Sequence, residues 1–224
     1  MHVERPSILC FCLLLNFTLL ASVAHGQHVA DDSRLYNGRE YIRNGIPSKG
    51  FACFEWDSLM PGSLEYDGIS YKIPLEYDLA QDQLVIHDFA GNTLISLVTG
   101  KIAQFSIGPY HFRYFGPGNA HLPESGFYQE LYAGSRISLL ARRHKNLVFP
   151  STLDEQPVYV QINAYFLLLH GSSYKIANEN ELLDILKDKK TELKKYIRKN
   201  RLSFRRNMEG ALIQTIAYYQ QIIT

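Results

Sequence analysis

The chain is poor in cysteine, and the few that it has are unevenly placed. Of three cysteines in 224 residues, Cys10 and Cys12 lie within the first 26 residues and only Cys53 lies beyond them. One thiol cannot form an internal disulfide, so a fold held by disulfides is excluded for the segment after residue 26. Neither Cys10 nor Cys12 ends the apolar run that contains them, which argues against a lipid-acceptor cysteine.

Several short motifs are also missing. After residue 26 there is no Asn-x-Ser/Thr glycosylation acceptor, no Gly-x-Ser-x-Gly elbow, no Gly-rich phosphate loop and no Cys-x-x-Cys pair. No two histidines there have the spacing of metal ligands. These histidines are His28, His87, His111, His121, His144 and His170. The sequence therefore predicts no metal and no cofactor, and we expect no enzyme of these common classes.

The first 26 residues have the order of a secretory signal peptide. Arg5 precedes an almost wholly apolar run over residues 8–20, and Ala24 and Gly26 supply the small residues before a cleavage site. The run has about 13 residues, fewer than the roughly 20 that a membrane-spanning helix needs. We therefore expect export and cleavage after Gly26, with no transmembrane helix left in the mature chain.

Charge is distributed asymmetrically along the rest of the chain. Residues 27–174 contain 11 Lys and Arg against 15 Asp and Glu, whereas residues 175–224 contain 11 against 6. This composition indicates an acidic body followed by a basic C-terminal segment. The lengths fit a β domain over residues 27–174 and a helical extension over residues 175–224.

Alternation of apolar and polar residues identifies strands in the body. Over residues 69–77 the apolar residues fall at every second position, which places them on one face of a strand. Asp67-Gly68, directly before it, is typical of a tight hairpin turn. Pro74 has no N–H for a sheet ladder, so it predicts an edge strand or a bulge.

Further strands follow at short spacing with turn residues between them. We predict them at residues 83–87, 93–98, 102–107, 110–115, 126–132, 136–143 and 158–169. No helical pattern intervenes, so the predicted fold is an antiparallel meander, either a curved sheet or a partly closed barrel.

The basic segment has a helical pattern. Leu182, Leu186, Leu193 and Ile197 fall on one stripe, and Asn178 precedes them as a helix N-cap. Residues 200–207 predict a break, after which Asn207 caps a last helix over residues 208–221. The predicted class is therefore α+β and mainly β, with two or three short C-terminal helices packed on the β domain.

Parts of the chain resemble exported proteins of unknown function from Bacteroidota. The C-terminal part of the resemblance includes Tyr174-Lys175-Ile176, Leu193-Lys194-Lys195-Tyr196-Ile197 and Asn200-Arg201-Leu202-Ser203-Phe204. In the body it includes residues 34–41 and Gly126-Phe127-Tyr128. The resemblance implies a periplasmic or outer-membrane-associated setting, and it assigns neither an activity nor a catalytic residue.

Two features in the body are candidate sites. The loop over residues 116–125 contains His121 and Glu124, which could act as a base and its orienting carboxylate, although the same composition fits a wide hairpin tip. Arg142, Arg143 and Lys145 end a strand, where they could bind an anion or simply face solvent. Alternation sends Arg142 and Arg143 to opposite faces, which divides such a patch.

The basic extension is the third candidate. Ten Lys and Arg lie within twenty residues, and Lys194, Lys195 and Arg198 are central among them. Such a row attracts phosphate polyanions or anionic lipid, or it forms the solvated face of amphipathic helices. Export disfavours an intracellular nucleic acid as the partner.

These features predict an exported, non-catalytic binding module of the cell envelope. Its predicted partner is an envelope protein or an apolar or anionic ligand, and the abundant Tyr and Phe side chains either line a binding surface or fill the core. Two alternatives remain open at this point: an envelope hydrolase that uses the loop at residues 116–125, and an outer-membrane-associated structural protein.

Overall fold

The computed structural model describes residues 33–119, 122–152 and 154–223. The predicted signal peptide, residues 1–26, lies outside the described residues. The strands are β1 (Arg39–Glu40), β2 (Met60–Tyr66), β3 (Ile69–Asp78), β4 (Gln83–His87), β5 (Leu94–Ser96), β6 (Ile102–Ile107), β7 (Tyr110–Phe115), β8 (Gly126–Ala133), β9 (Ile137–Val148), β10 (Val158–Leu169) and β11 (Ser172–Ile176). The helices are α1 (Glu179–Ile185), α2 (Lys190–Lys199) and α3 (Met208–Ile223).

All eleven strands belong to one sheet in the order β1-β5-β4-β3-β2-β6-β7-β8-β9-β10-β11. Every pairing between these strands is antiparallel. The sheet is not closed, and the three helices follow it. The predicted class, an antiparallel and mainly β protein with C-terminal helices, is confirmed, and the sheet is open rather than a closed barrel.

The hairpin between β2 and β3 shows how the sequence fixes the register. Asp67 and Gly68 have φ angles of 53° and 77°, as the tight turn requires, and Tyr66 pairs with Ile69 across it. The side chains of Tyr71 and Leu75 then point into the core. A shift by one residue would expose them, so the apolar alternation and the turn specify the same register.

Pro74 lies in an inner strand, at a point where one side of that strand has no paired neighbour. Strand β3 has β2 on one side and β4 on the other, but β4 pairs only with Glu76, Tyr77 and Asp78. Within the described sheet, Pro74 thus precedes the start of the β4 ladder and its missing N–H removes no hydrogen bond from it. The prediction of an edge strand or a bulge is wrong: β3 is internal and its pairing with β2 has no register shift at Pro74, and the proline is tolerated because β4 begins to pair only at Glu76.

Aromatic side chains fill the core of the body. Phe105 and Phe112 stack with ring centroids 4.8 Å apart, and Tyr77 and Phe127 pack edge-on against them. All four are almost completely buried. These rings contact one another, so the alternating aromatics of the body act in packing.

The helices cover one face of the last strands. Leu193 and Ile197 of α2 and Ile216 of α3 join a buried cluster with Leu139 of β9 and Leu167 of β10. This packing accounts for the stability of helices that would be too short to persist alone. Within the residues described, no helix combines the length and the apolar character needed to cross a membrane.

Both predicted helix caps are present. Asn178 Oδ1 accepts a hydrogen bond of 3.0 Å from the Glu181 N–H, and Asn207 Oδ1 accepts one of 2.9 Å from the Gly210 N–H. The chain turns between α2 and α3, which confirms the predicted break, and α3 ends two residues later than predicted.

Candidate functional site

The structure tests only half of the predicted pair in the loop at residues 116–125. His121 lies outside the described residues, so its proposed contact with Glu124 stays a prediction. Glu124 is exposed, and its backbone carbonyl accepts a hydrogen bond of 2.9 Å from the Tyr128 hydroxyl. Leu122 is buried in a cluster with Tyr128 and Phe166, so this part of the loop packs against β8 and β10.

Arg142 is already bound to a carboxylate. Its two terminal nitrogens donate hydrogen bonds of 2.9 and 2.7 Å to the two oxygens of Asp82, a bidentate ion pair. Gly126 permits this approach, because a Cβ at that residue would lie 2.5 Å from the guanidinium. The pair therefore joins β9 to the turn after β3.

Arg143 and Lys145 are likewise engaged within the protein. Arg143 is buried and donates hydrogen bonds to Gln129 and, over 2.8 Å, to Glu209 of α3. The Lys145 ammonium donates to the backbone carbonyls of Phe51 and Cys53, and burial lowers its pKa. The three cations proposed as an anion site thus have partners of their own, and Arg142 and Arg143 bind on different sides of the strand.

The basic residues of the extension are arranged differently. All of those that follow the middle of α2 are exposed, and together they form what we call the cationic surface. It consists of Lys194, Lys195, Arg198, Lys199, Arg201, Arg205 and Arg206. Among the residues that the structure describes, none of the seven forms an ion pair.

Helix geometry explains why these cations face outward together. Lys194, Lys195, Arg198 and Lys199 are spaced i, i+1, i+4 and i+5, so they occupy one side of α2. The buried Leu193 and Ile197 lie on the opposite side, which faces the hydrophobic cluster shared with α3. The amphipathic pattern of α2 therefore dictates both its docking and the exposure of its charges.

The acidic side chains nearest in sequence have other partners. Asp184 pairs with Lys190 at 2.5 Å, and both carboxylate oxygens of Asp188 accept from the Tyr219 hydroxyl at 3.2 Å. Glu181 caps α1. Over residues 190–206, where eight residues are basic, only Glu192 is acidic. The excess positive charge is thus left facing solvent.

A second polar cluster, which the sequence did not predict, consists of Arg43, Cys53, Asp57 and Glu76, and we call it the Cys53 cluster. Arg43 forms ion pairs with Asp57 at 2.9 Å and with the buried carboxylate of Glu76. The Cys53 thiol donates to Glu76 Oε1 over 2.6 Å. These residues line or adjoin a surface cavity of about 190 Å³ that Tyr41 and Tyr159 also border.

The chemistry available to the Cys53 cluster is limited by Arg43. Donor atoms of Cys53, Asp57 and Glu76 all lie within 4.8 Å of one another, which is near the spacing of metal ligands. Arg43, however, already forms ion pairs with both carboxylates and serves as their cation. Burial and the hydrogen bond to Glu76 raise the pKa of the Cys53 thiol, so the reactive thiolate is disfavoured. The cluster acts as a clamp between residues 43–57 and β3.

The irregular segment that contains Tyr41 and Phe54 is joined to β3 by two further hydrogen bonds. Asp78 Oδ2 accepts a hydrogen bond of 2.6 Å from the Tyr41 hydroxyl, and the Phe54 N–H donates 2.8 Å to the Tyr77 carbonyl. Burial and Asp78 raise the pKa of Tyr41. The sequence offers no local signal for this arrangement, since both direct neighbours of Cys53 are apolar and the members are spread over residues 41–78.

Comparison with known proteins adds no relationship. No protein-family model matches the chain, and neither the curated proteins nor the solved structures contain a match.

Proposed function

We propose that this chain is an exported, non-catalytic binding module of the cell envelope that recognises an anionic partner through the cationic surface. The observation that carries the proposal is a contrast between two sets of basic residues. Arg142, Arg143 and Lys145 of the sheet are held by carboxylates, an amide or carbonyls, whereas the seven residues of the cationic surface are exposed and unpaired within the described chain.

Repulsion between the cations of α2 destabilises that helix, which supports a role for these residues in binding and not in folding. Lys194 and Arg198, like Lys195 and Lys199, are like charges at i and i+4, and each such pair destabilises a helix by roughly 0.2–0.5 kcal/mol. Arg198 and Lys199 lie in the last turn, where they interact favourably with the helix dipole. Lys194 and Lys195 lie before that turn, so intrahelical electrostatics alone give little reason for a basic residue at either position.

The packing of the rest of the molecule holds the cationic surface in a fixed position. The sheet has an aromatic core, and buried aliphatic residues of α2 join the cluster formed by α3, β9 and β10. Binding surfaces on rigid elements lose little conformational freedom when a partner arrives. The fold thus presents the cationic surface in one arrangement.

Chromatography on immobilised heparin, used as a general polyanion, tests the proposal. The full chain should be retained at low salt and eluted as salt screens the charges. A triple variant, Lys194→Gln, Lys195→Gln and Arg198→Gln, should elute at distinctly lower salt.

A matched control removes the same number of positive charges from exposed residues of the body. Arg39→Gln, Lys49→Gln and Lys72→Gln together should leave the elution of the chain close to that of the parent. Failure of the parent to bind, or equal losses for both triple variants, would contradict the proposal.

A further inference from the structure

We infer that the cationic surface binds the face of an anionic lipid bilayer, with the outer side of α2 against the headgroups. This inference rests on the proposed function and names the class of partner. It starts from the shape of the surface: the cations project from the outer side of one helix and from the turn that follows it, while the opposite side of α2 is buried.

A projecting helical face can place all of its charges near a plane at once. A helix of ten residues is about 15 Å long, and the four cations between Lys194 and Lys199 span about 8 Å along its axis. The Debye length at physiological ionic strength is also about 8 Å, so attraction requires close contact. A planar layer of headgroups permits that contact without any groove in the protein.

The side chains between the cations do not suit recognition of single-stranded nucleic acid. Such recognition uses exposed aromatic rings on which bases stack. The ring of Tyr196 stacks on Tyr218 with centroids 4.1 Å apart and planes within 6°, and Phe204 packs against the helix cluster. In the described part of the surface, both aromatic residues are therefore engaged within the protein.

The position of the surface relative to the sheet favours peripheral attachment. α2 buries Leu193 and Ile197 in the cluster that it shares with α3 and the last strands, and it packs against α3, which lies against β8 and β9, so the charged side of α2 faces away from the sheet. Lys and Arg beside an anionic leaflet each strengthen binding by roughly fivefold. The seven cations together provide attraction sufficient for reversible, salt-sensitive binding.

Vesicle cosedimentation of the full chain provides the test. Vesicles of phosphatidylcholine mixed equally with phosphatidylglycerol are compared with vesicles of phosphatidylcholine alone. We expect preferential binding to the anionic vesicles, weakened by salt, and a loss on the order of 100-fold for Lys194→Gln/Lys195→Gln/Arg198→Gln. Every variant keeps the same N-terminal segment, so any contribution from that segment cancels in the comparison.

The controls separate this inference from the proposed function. Arg39→Gln/Lys49→Gln/Lys72→Gln should bind as the parent does. If Lys194→Gln/Lys195→Gln/Arg198→Gln loses the circular dichroism spectrum of the parent, Arg201→Gln/Arg205→Gln/Arg206→Gln replaces it as the test variant. Binding to heparin without preference for anionic vesicles would overturn the inference and leave the proposed function standing. Binding to neither would overturn both. Tighter binding to a DNA duplex than to vesicles would also overturn the lipid assignment.

Discussion

The Cys53 thiol donates a hydrogen bond of 2.6 Å to Oε1 of Glu76, a carboxylate whose side chain is 1% exposed. A buried carboxylate requires partners for its oxygens, and here a thiol and the Arg43 guanidinium provide them. The one cysteine beyond residue 26 thus serves as a hydrogen-bond donor in a structural clamp.

This environment predicts an unreactive thiol. Burial is the main cause of the raised pKa of Cys53, and the hydrogen bond to Glu76 is the second. Almost none of this side chain is therefore thiolate at neutral pH. Alkylation by iodoacetamide, followed by peptide mass spectrometry that isolates the Cys53 peptide, should be very slow in the folded chain and rapid in guanidinium. Equally fast labelling in the two conditions would show that the clamp is open in solution.

Removing Arg43 should destabilise the fold. Arg43→Ala leaves the buried Glu76 carboxylate without its cation, and losing one partner of a buried ion pair costs about 3–5 kcal/mol. The Arg43 side chain is 39% exposed, so water offsets part of this loss, and we expect about 1–3 kcal/mol. Urea unfolding measures it as a lower midpoint at an unchanged slope.

Two further variants identify the cause of that loss. Asp57→Asn removes the partner of Arg43 that is 57% exposed and should change stability by less than about 0.5 kcal/mol. Adding Glu76→Gln to Arg43→Ala should recover part of the loss, because the buried charge is gone. No recovery in the double variant would indicate that Arg43 acts through packing alone.

Removal of the hydroxyl should change the free energy of unfolding differently at two buried tyrosines. The Tyr77 hydroxyl donates 2.6 Å to Asp82, whereas the Tyr66 hydroxyl has no hydrogen-bond partner among the described residues. Tyr77→Phe should cost roughly 1.5–3 kcal/mol, and Tyr66→Phe should be neutral or stabilising. Thermal unfolding of the two variants checks this, and an equal loss for both would disprove it.

Stability should fall at alkaline pH. Burial raises the pKa of several tyrosines above the ordinary value of 10.0, so folding favours their protonated forms. The contribution of these groups is fully present below pH 10 and is lost as pH rises toward their folded pKa values. Burial lowers the pKa of Lys145, so the effect of this residue on stability with rising pH is opposite to that of the tyrosines, but it is one group against five. The five tyrosines are Tyr41, Tyr77, Tyr128, Tyr165 and Tyr219.

Phenolate absorbance and circular dichroism followed together measure this effect. The five tyrosines should ionise as the fold is lost, later than the exposed tyrosines. Full ionisation of every tyrosine near its ordinary pKa while the circular dichroism spectrum is unchanged would contradict the burial seen in the structure.

Local patterns predicted much of the sheet and the helix ends. The strands at residues 83–87, 102–107, 110–115 and 158–169 have the predicted bounds, because each has turn residues on both sides. The two-residue β1 and the short β11 were missed, since neither is long enough to establish an apolar alternation. β9 extends five residues further than predicted, through Val148, because its polar end pairs with β10.

The Cys53 cluster shows why sites are harder to predict than strands. In the alternating pattern of β3, Glu76 takes a polar position like that of Lys72, which is exposed. Glu76 is buried because the irregular segment around Cys53 crosses that face of the strand. No periodicity governs such a segment, so its contacts depend on the whole fold.

The repeated Leu-Glu-Tyr-Asp at residues 64–67 and 75–78 makes the same point. Asp67 lies in an exposed hairpin turn, whereas Asp78 is buried and accepts hydrogen bonds from the Ala80 and Gln81 N–H groups. Identical local sequence leads to different surroundings because only the second copy meets a covering segment.

The contact between Arg143 and Glu209 has a consequence for binding. It joins β9 to the first turn of α3, and separating the two elements would leave a buried guanidinium without its carboxylate. Because α3 packs in turn against α2, the helical layer is preorganised before any partner arrives. Association at α2 should therefore proceed as rigid-body docking, with no folding step coupled to it.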